Sequence, residues 1–222
     1  MTETIWAQAD PTGASGYATT TEDGSYGLFF TVSVDTDLKA VWFYSPAGAS
    51  ALPSWTALYS TTNPGAAGTL VAQNNSPSWS GAAGSGWVRD DSFPSTPVST
   101  GTDYVAAYYG ASFLQGYLYT GSEPSAWFPA TSGAGHITAP AYVSNTSAGC
   151  NGPYLNGSKG CPYPGLNGLN INWLADVEVS ASVDASVTGV AAGVTAAGGP
   201  FGWASGDDGP GPWRLFGSAD GP

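Results

Sequence analysis

Few residues in this chain are equipped for chemistry, and their spacing decides what each could do. His136, in Gly-Ala-Gly-His-Ile, is the single histidine. A catalytic triad or a zinc site would need it beside an activated serine or further ligands, yet no Gly-x-Ser-x-Gly and no His-x-x-x-His spacing occurs. It is expected to be a loop histidine making ordinary hydrogen bonds. Glycoside hydrolysis needs two carboxylates at a set separation, one with a raised pKa. Asp90, Asp91, Glu123, Asp176 and Glu178 are the candidates, but acids in turns and on outward strand positions are expected to be solvated. Asp35-x-Asp37 and Asp207-Asp208 offer oxygen ligands of the kind Ca²⁺ takes near a strand turn. No EF-hand loop is present, and Asp35 and Asp37 also read as plain turn formers. No catalytic residue is expected, and no cofactor beyond that calcium candidate.

Cys150 and Cys161 allow a single pairing. Closing a loop of about a dozen residues would stabilise the fold by roughly 3 kcal/mol, so a disulfide is expected, with two free thiols as the alternative. Zinc lacks a second cysteine pair or a nearby histidine. Trp79, Trp127, Tyr142, Tyr154 and Tyr163 fall in loops. Rings so placed pack beneath a loop, meet a protein partner, or stack on a sugar. Asn74, Asn145 and Asn156 each begin an Asn-x-Ser/Thr triplet, a pattern that arises by chance at this Ser/Thr content.

The elements that must position these residues read as strands. Leu, Ile and Val are sparse, but 9 Trp, 12 Tyr and 8 Phe supply large areas to bury, on side chains that suit pleated surfaces. With 32 Gly and 17 Pro no helical period is sustained. Period-2 patterning marks 26–34, with Leu28, Phe30, Val32 and Val34 on one face, and strands follow at 38–45, 55–60, 69–73, 86–91 and 103–109, with a short one at 117–119. The stretch 122–169 has no period and needs a staple or a function. Residues 171–179 alternate, with Ile171, Trp173, Ala175, Val177 and Val179 inward and Asn172, Asp176 and Glu178 outward. The expected fold is an all-β, jelly-roll-like antiparallel sandwich with long loops and extended termini. Its expected parts are an N-terminal arm (1–25), the sandwich (26–180) and an Ala/Gly/Pro-rich tail (181–222). One edge strand is expected in 185–197. Phe201, Trp203, Trp213 and Phe216 are too apolar for water and are expected to dock on the sandwich or a partner.

The balance of 16 acidic against 4 basic residues gives a formal net charge of −12, which repels phosphate backbones and anionic lipid. Nucleic-acid and membrane partners are not expected. The first ten residues carry no basic n-region or apolar h-region, so export by a signal peptide is not expected.

Several segments in order resemble one family, a bacterial domain of unknown function in extracellular and carbohydrate-related multidomain proteins. The likeness rests on Trp42-Phe43-Tyr44, Leu58-Tyr59, Gly68-Thr69-Leu70-Val71-Ala72, Gly86-Trp87, Pro97-Val98 with Gly101-Thr102-Asp103-Tyr104-Val105 and Tyr108, and Asn172-Trp173-Leu174-Ala175-Asp176-Val177. It covers about residues 26–180. Trp42 stands where the family has Arg, Tyr59 where it has Trp, and the cysteine-bearing insertion departs from the pattern. The resemblance implies a jelly-roll-like sandwich and a non-enzymatic role, with no ligand to carry over. Val187-Thr-Gly-Val-Ala-Ala-Gly-Val-Thr is similar to segments of actinobacterial phage structural proteins. Together these lead to the expectation of a non-enzymatic virion protein, a capsid decoration or minor tail subunit. It would be made in the host cytoplasm and would contact other virion proteins or its own copies. The alternative is a secreted actinobacterial module binding carbohydrate or host-surface polysaccharide. On either reading Trp79, Trp127, Tyr142, Tyr154, Tyr163, Trp203 and Trp213 are the candidate contacts.

Overall fold

The computed structural model describes residues 2–6, 8–63, 65–119, 127–140, 151–163 and 171–180, and the backbone alone at 201–204 and 214–217. The chain forms two compact units, Met1–Ala181 and Ser182–Pro222. The first is an all-β sandwich whose strand pairs are antiparallel, with no helix among the described residues. None of them therefore forms a helix long and apolar enough to cross a membrane.

One sheet runs β1 (Thr2–Thr4), β13 (Ala175–Ser180), β3 (Thr36–Ser45) and β6 (Gly86–Arg89), with β7 (Thr96–Val98) also beside β3. The other runs β5 (Thr69–Asn74), β4 (Trp55–Thr61), β8 (Asp103–Tyr119), β2 (Tyr17–Val32), β10 (Ile137–Ala139) and β9 (Ala130–Thr131). In that second sheet β11 (Tyr154–Asn156) adds to β2, and β12 (Ile171–Asn172) to β8.

The long pair β2–β8 organises the second sheet. It runs in register from Tyr17 opposite Leu118 to Thr31 opposite Asp103, broken by a bulge between Glu22 and Gly24. At the bulge Ser112 takes a left-handed φ of 49°, and its backbone N–H and hydroxyl both donate to Asp23 Oδ1. A bulge of this kind bends a strand without breaking it. It turns Phe113 back over Gly110, where any Cβ would run into the ring. The expected strand 103–109 and short strand 117–119 are therefore one element. The polar Tyr17-Ala-Thr-Thr-Thr-Glu22 run is also strand, because it lies against β8.

Between the sheets the core is largely aromatic. Tyr26, Phe30, Phe43, Tyr108 and Phe113 are buried there with Leu28, Val41, Leu58 and Val177. Tyr26 lies 4.7 Å from the Trp173 ring and 5.1 Å from Tyr154, within the range where offset and edge contacts add to burial. The outer face of the second sheet is covered as well, with Phe29, Trp55, Ala57, Tyr59, Val105 and Ala107 packed around Cys161. The covering segment is fixed by Asn151. Its Oδ1 accepts the Phe29 N–H at 3.0 Å while its Nδ2 donates to the Phe29 carbonyl at 2.7 Å, as a neighbouring strand would.

Residues 171–180, expected as one closing strand, belong to both sheets. Asn172 pairs with Leu118 in one sheet and Ala175 with Phe43 in the other. The crossing is made at Leu174, whose φ of 52° is unusual for a residue with a side chain. Its N–H donates to Asn172 Oδ1 at 2.9 Å, and its carbonyl accepts from Tyr44 N at 3.1 Å.

The N-terminal arm expected at 1–25 is not a separate arm. β1 pairs with β13, Thr2 opposite Ser180 and Thr4 opposite Glu178, and Ile5 and Trp6 enter the core. The hold on this segment is Asp176. Its Oδ1 accepts the N–H groups of Ile5 at 3.0 Å and Val177 at 2.7 Å, and its Oδ2 accepts Trp6 N–H at 3.0 Å. In the second unit β14 (Phe201–Ala204) pairs with β15 (Arg214–Gly217), Phe201 opposite Gly217. The edge strand expected in 185–197, and the docking expected of the Phe201, Trp203, Trp213 and Phe216 rings, lie outside what is described.

Burial pushes the Asp176 carboxyl up from 3.8 to about 7, against the three N–H groups that favour its charged form. A raised folded-state value means that the carboxyl stabilises the fold fully below about pH 4 and loses that contribution as pH rises to about 7. The difference in unfolding free energy between the wild type and Asp176→Asn, from urea titrations, should therefore shrink between pH 4 and 7 and stay flat above. A difference that grows with pH would show the carboxyl to be ionised in the fold.

Candidate functional site

On β3, Val41 and Phe43 face the core, so Trp42 faces out. Registry then brings the outward residues of three neighbouring strands around it, with Asp176 of β13 and Arg89 of β6 directly opposite Trp42, and Thr4 of β1 opposite Glu178. The result is a cleft of about 430 Å³ lined by Thr2, Glu3, Thr4, Gln8, Trp42, Gly133 and Glu178.

Its charged groups are tied to one another. The Trp42 indole N–H donates to Glu178 Oε2 at 3.1 Å. Arg89 grips the same carboxylate through Nε at 2.9 Å and Nη2 at 3.3 Å, while Nη1 meets Asp91 Oδ1 at 2.6 Å. Glu3 Oε2 accepts the Ala134 N–H at 3.2 Å. Its Oε1 approaches His136 Nδ1 to 2.8 Å, an ion pair when the imidazole is protonated. That approach is not aligned as a hydrogen bond. Gln8 takes a left-handed φ of 51° beside the cleft, its Nε2 donating to Thr4 Oγ1 at 3.4 Å.

The expectation that the outward acids are solvated is corrected. Asp176 is fully buried under Ile5 and Trp6, and Glu178 is only 7% exposed. Asp90 is fully buried too, accepting Thr56 Oγ1 at 2.6 Å, Asn74 Nδ2 at 3.0 Å and Ser92 N at 3.1 Å. Such a carboxylate, surrounded by donors, fixes a loop rather than presenting itself to a substrate. Asn74, first residue of one Asn-x-Ser triplet, is engaged in holding it. Asp91 is exposed in its Arg89 pair, and Glu123 lies outside the described residues. Asp35 Oδ1 accepts Thr100 N at 2.8 Å and Asp37 pairs with Lys39 at 2.9 Å, so each has a partner within the fold. Among the described residues no three His, Cys, Asp or Glu side chains gather as a metal site. Asp207 and Asp208 are not described.

Among the described residues the candidate contact rings do not converge. Trp79 plugs the core edge against Phe43 at 5.4 Å and donates to Pro53 O at 3.0 Å. Trp127 packs on Trp6 at 5.6 Å. Tyr154 is 8% exposed and stacks on Tyr26, its hydroxyl donating to Glu22 Oε2 at 3.1 Å. Tyr163 is partly buried, while Tyr142, Trp203 and Trp213 lie outside what is described. Trp42, Arg89, Glu3 and Gln8 were not singled out from the sequence. The available signal was a large ring on the polar face of a strand whose other face is core. The expected disulfide is not seen. Cys161 is a free, buried thiol whose Sγ accepts the Gly68 N–H at 3.3 Å, and Cys150 is not described.

Removing Arg89 leaves Glu178 buried without its cation. Arg89→Ala should cost about 2 kcal/mol by chemical denaturation, below the figure for a fully buried pair because Arg89 is a quarter exposed. Arg89→Lys should fall between, because an ammonium cannot engage both oxygens as a planar fork. Burial also pushes the Cys161 thiol up to about 11. Iodoacetamide at pH 7.5 should therefore label the Cys161 peptide far more slowly in the folded chain than in urea, and non-reducing peptide maps should show it unlinked. Comparison of the chain with protein-family models, with curated proteins and with solved structures returned no match.

Proposed function

We propose that this chain is a non-enzymatic structural subunit of a virion, a capsid decoration or minor tail protein, joined to copies of itself or to other virion proteins along a sheet edge. The observation that carries this reading is β5. It is an end strand of the second sheet, paired among the described residues with β4 alone. Its sequence, Thr69-Leu-Val-Ala-Gln-Asn74, contains no charge and no proline, and Leu70 and Val71 are 44% and 41% exposed. Proteins that remain single blunt such an edge with lysine, proline, a bulge or a covering loop; β5 has a bulge at Val71 but neither lysine nor proline. In a chain of net charge −12, a neutral strand is also where like molecules approach with least repulsion.

Further support comes from the fate of the acids, since Asp90, Asp176 and Glu178 are all engaged in holding the fold. The likeness of the 187–195 segment to actinobacterial phage structural proteins points the same way.

Sedimentation velocity over a range of concentrations should show self-association of the wild type. Val71→Lys should leave the melting temperature within about 2 °C and shift the chain to monomer, because an edge lysine opposes strand addition. Antibody against the chain should label particles in electron micrographs. A wild type that stays monomeric, together with unlabelled particles, would remove the basis for the reading.

A further inference from the structure

We infer that the Trp42 cleft is a saccharide-binding site that takes an uncharged pyranose ring against the indole. The inference is independent of whether the chain is a virion part. At about 430 Å³ the cleft has the size of a small-ligand pocket, and its lining is one large ring among hydroxyl, amide and carboxylate groups. That composition matches a ligand with an apolar ring face and a periphery of hydroxyl groups. A lipid or an apolar peptide would find a single ring and no apolar floor.

Trp42 is fixed before any ligand arrives, because its Nε1 is bonded to Glu178 and Glu178 is held at both oxygens by Arg89. A ring immobilised in the free protein loses little conformational freedom on binding. Thr2, Thr4 and Gln8 add donors and acceptors to the lining. Gln8 holds a left-handed backbone, the kind of strain that concentrates at functional positions.

Charge sets the class of ligand. A chain of net −12, with no Lys or Arg among the residues lining the cleft, disfavours phosphorylated, sulfated or uronic sugars. Both carboxylates already have cationic or N–H partners, Glu178 in Arg89 and Glu3 in Ala134 N and His136. They therefore offer remaining lone pairs to hydroxyls rather than a free anion to an ammonium or guanidinium group.

The test is calorimetry and saturation-transfer NMR on the full chain, with neutral oligosaccharides of glucose, galactose, mannose and N-acetylglucosamine, a sulfated oligosaccharide and an oligolysine peptide as probes. At least one neutral sugar should bind saturably, and the sulfated sugar and oligolysine should not. Trp42→Ala should weaken binding by about tenfold or more, as expected for losing one stacked ring, while Trp42→Phe retains part of it. Gln8→Ala, at an exposed loop position that cannot unfold the sandwich, should also weaken binding. The proposal fails if no neutral sugar binds, if Trp42→Ala and Gln8→Ala bind as the wild type does, or if oligolysine binds and is lost with Trp42→Ala, which would make the cleft a cation site.

Discussion

The pairing of β2 with β8 is the constraint on which the other elements depend. Along its length it offers one free edge to β4 and β12 and another to β10 and β11, so the second sheet assembles around it. It also carries Tyr26, Phe30, Tyr104, Tyr108 and Phe113 into the space between the sheets. A chain poor in Leu, Ile and Val can fill a sandwich only if its rings meet one another, and these strands bring them within 5 to 6 Å in stacked, tilted and edge contacts. The bulge at Asp23 and Ser112 lets strands this long remain paired while bending over the core.

Strands with an apolar face and clear turn signals were readable. β3, β4, β5 and β6 lie within a residue or two of where the alternation placed them. β2 begins nine residues earlier than expected because Tyr17-Ala-Thr-Thr-Thr carries no apolar period, and its strand conformation comes from β8 rather than from its own pattern. Gly110 and Gly116 interrupted the reading of β8 for the opposite reason. There the glycines make room for rings folding back, Phe113 over Gly110 and Tyr17 and Tyr44 beside Gly116. In residues 171–179 the inward set was legible, but the change of sheet at Leu174 was not, because no local signal marks a left-handed leucine.

The site was the least legible part, for a physical reason. Whether Asp176 and Glu178 meet water depends on residues 2–6 returning across them from about 170 positions away in the chain. Loop aromatics attracted attention because a ring outside a strand invites a ligand. Trp79 and Tyr154 instead turned inward, each finding a ring and a hydrogen-bond acceptor. Trp42 was read only as part of an aromatic strand and of the family likeness, not as a contact, although the polar face it shares with Arg89 and Glu178 is what shapes the cleft.

The docking of β1 on β13 bears on how the molecule is made. Within the sandwich the first strand in chain order pairs with one of the last, so the first sheet cannot close until nearly all of that unit has emerged. Until then Ile5, Trp6 and the face that receives them remain uncovered. Long-range pairings of this kind slow folding and lengthen the interval in which apolar surface is open to wrong partners. The closure that buries Asp176 and shapes the Trp42 cleft therefore waits for β13, and the cleft takes its form only once the sandwich is whole.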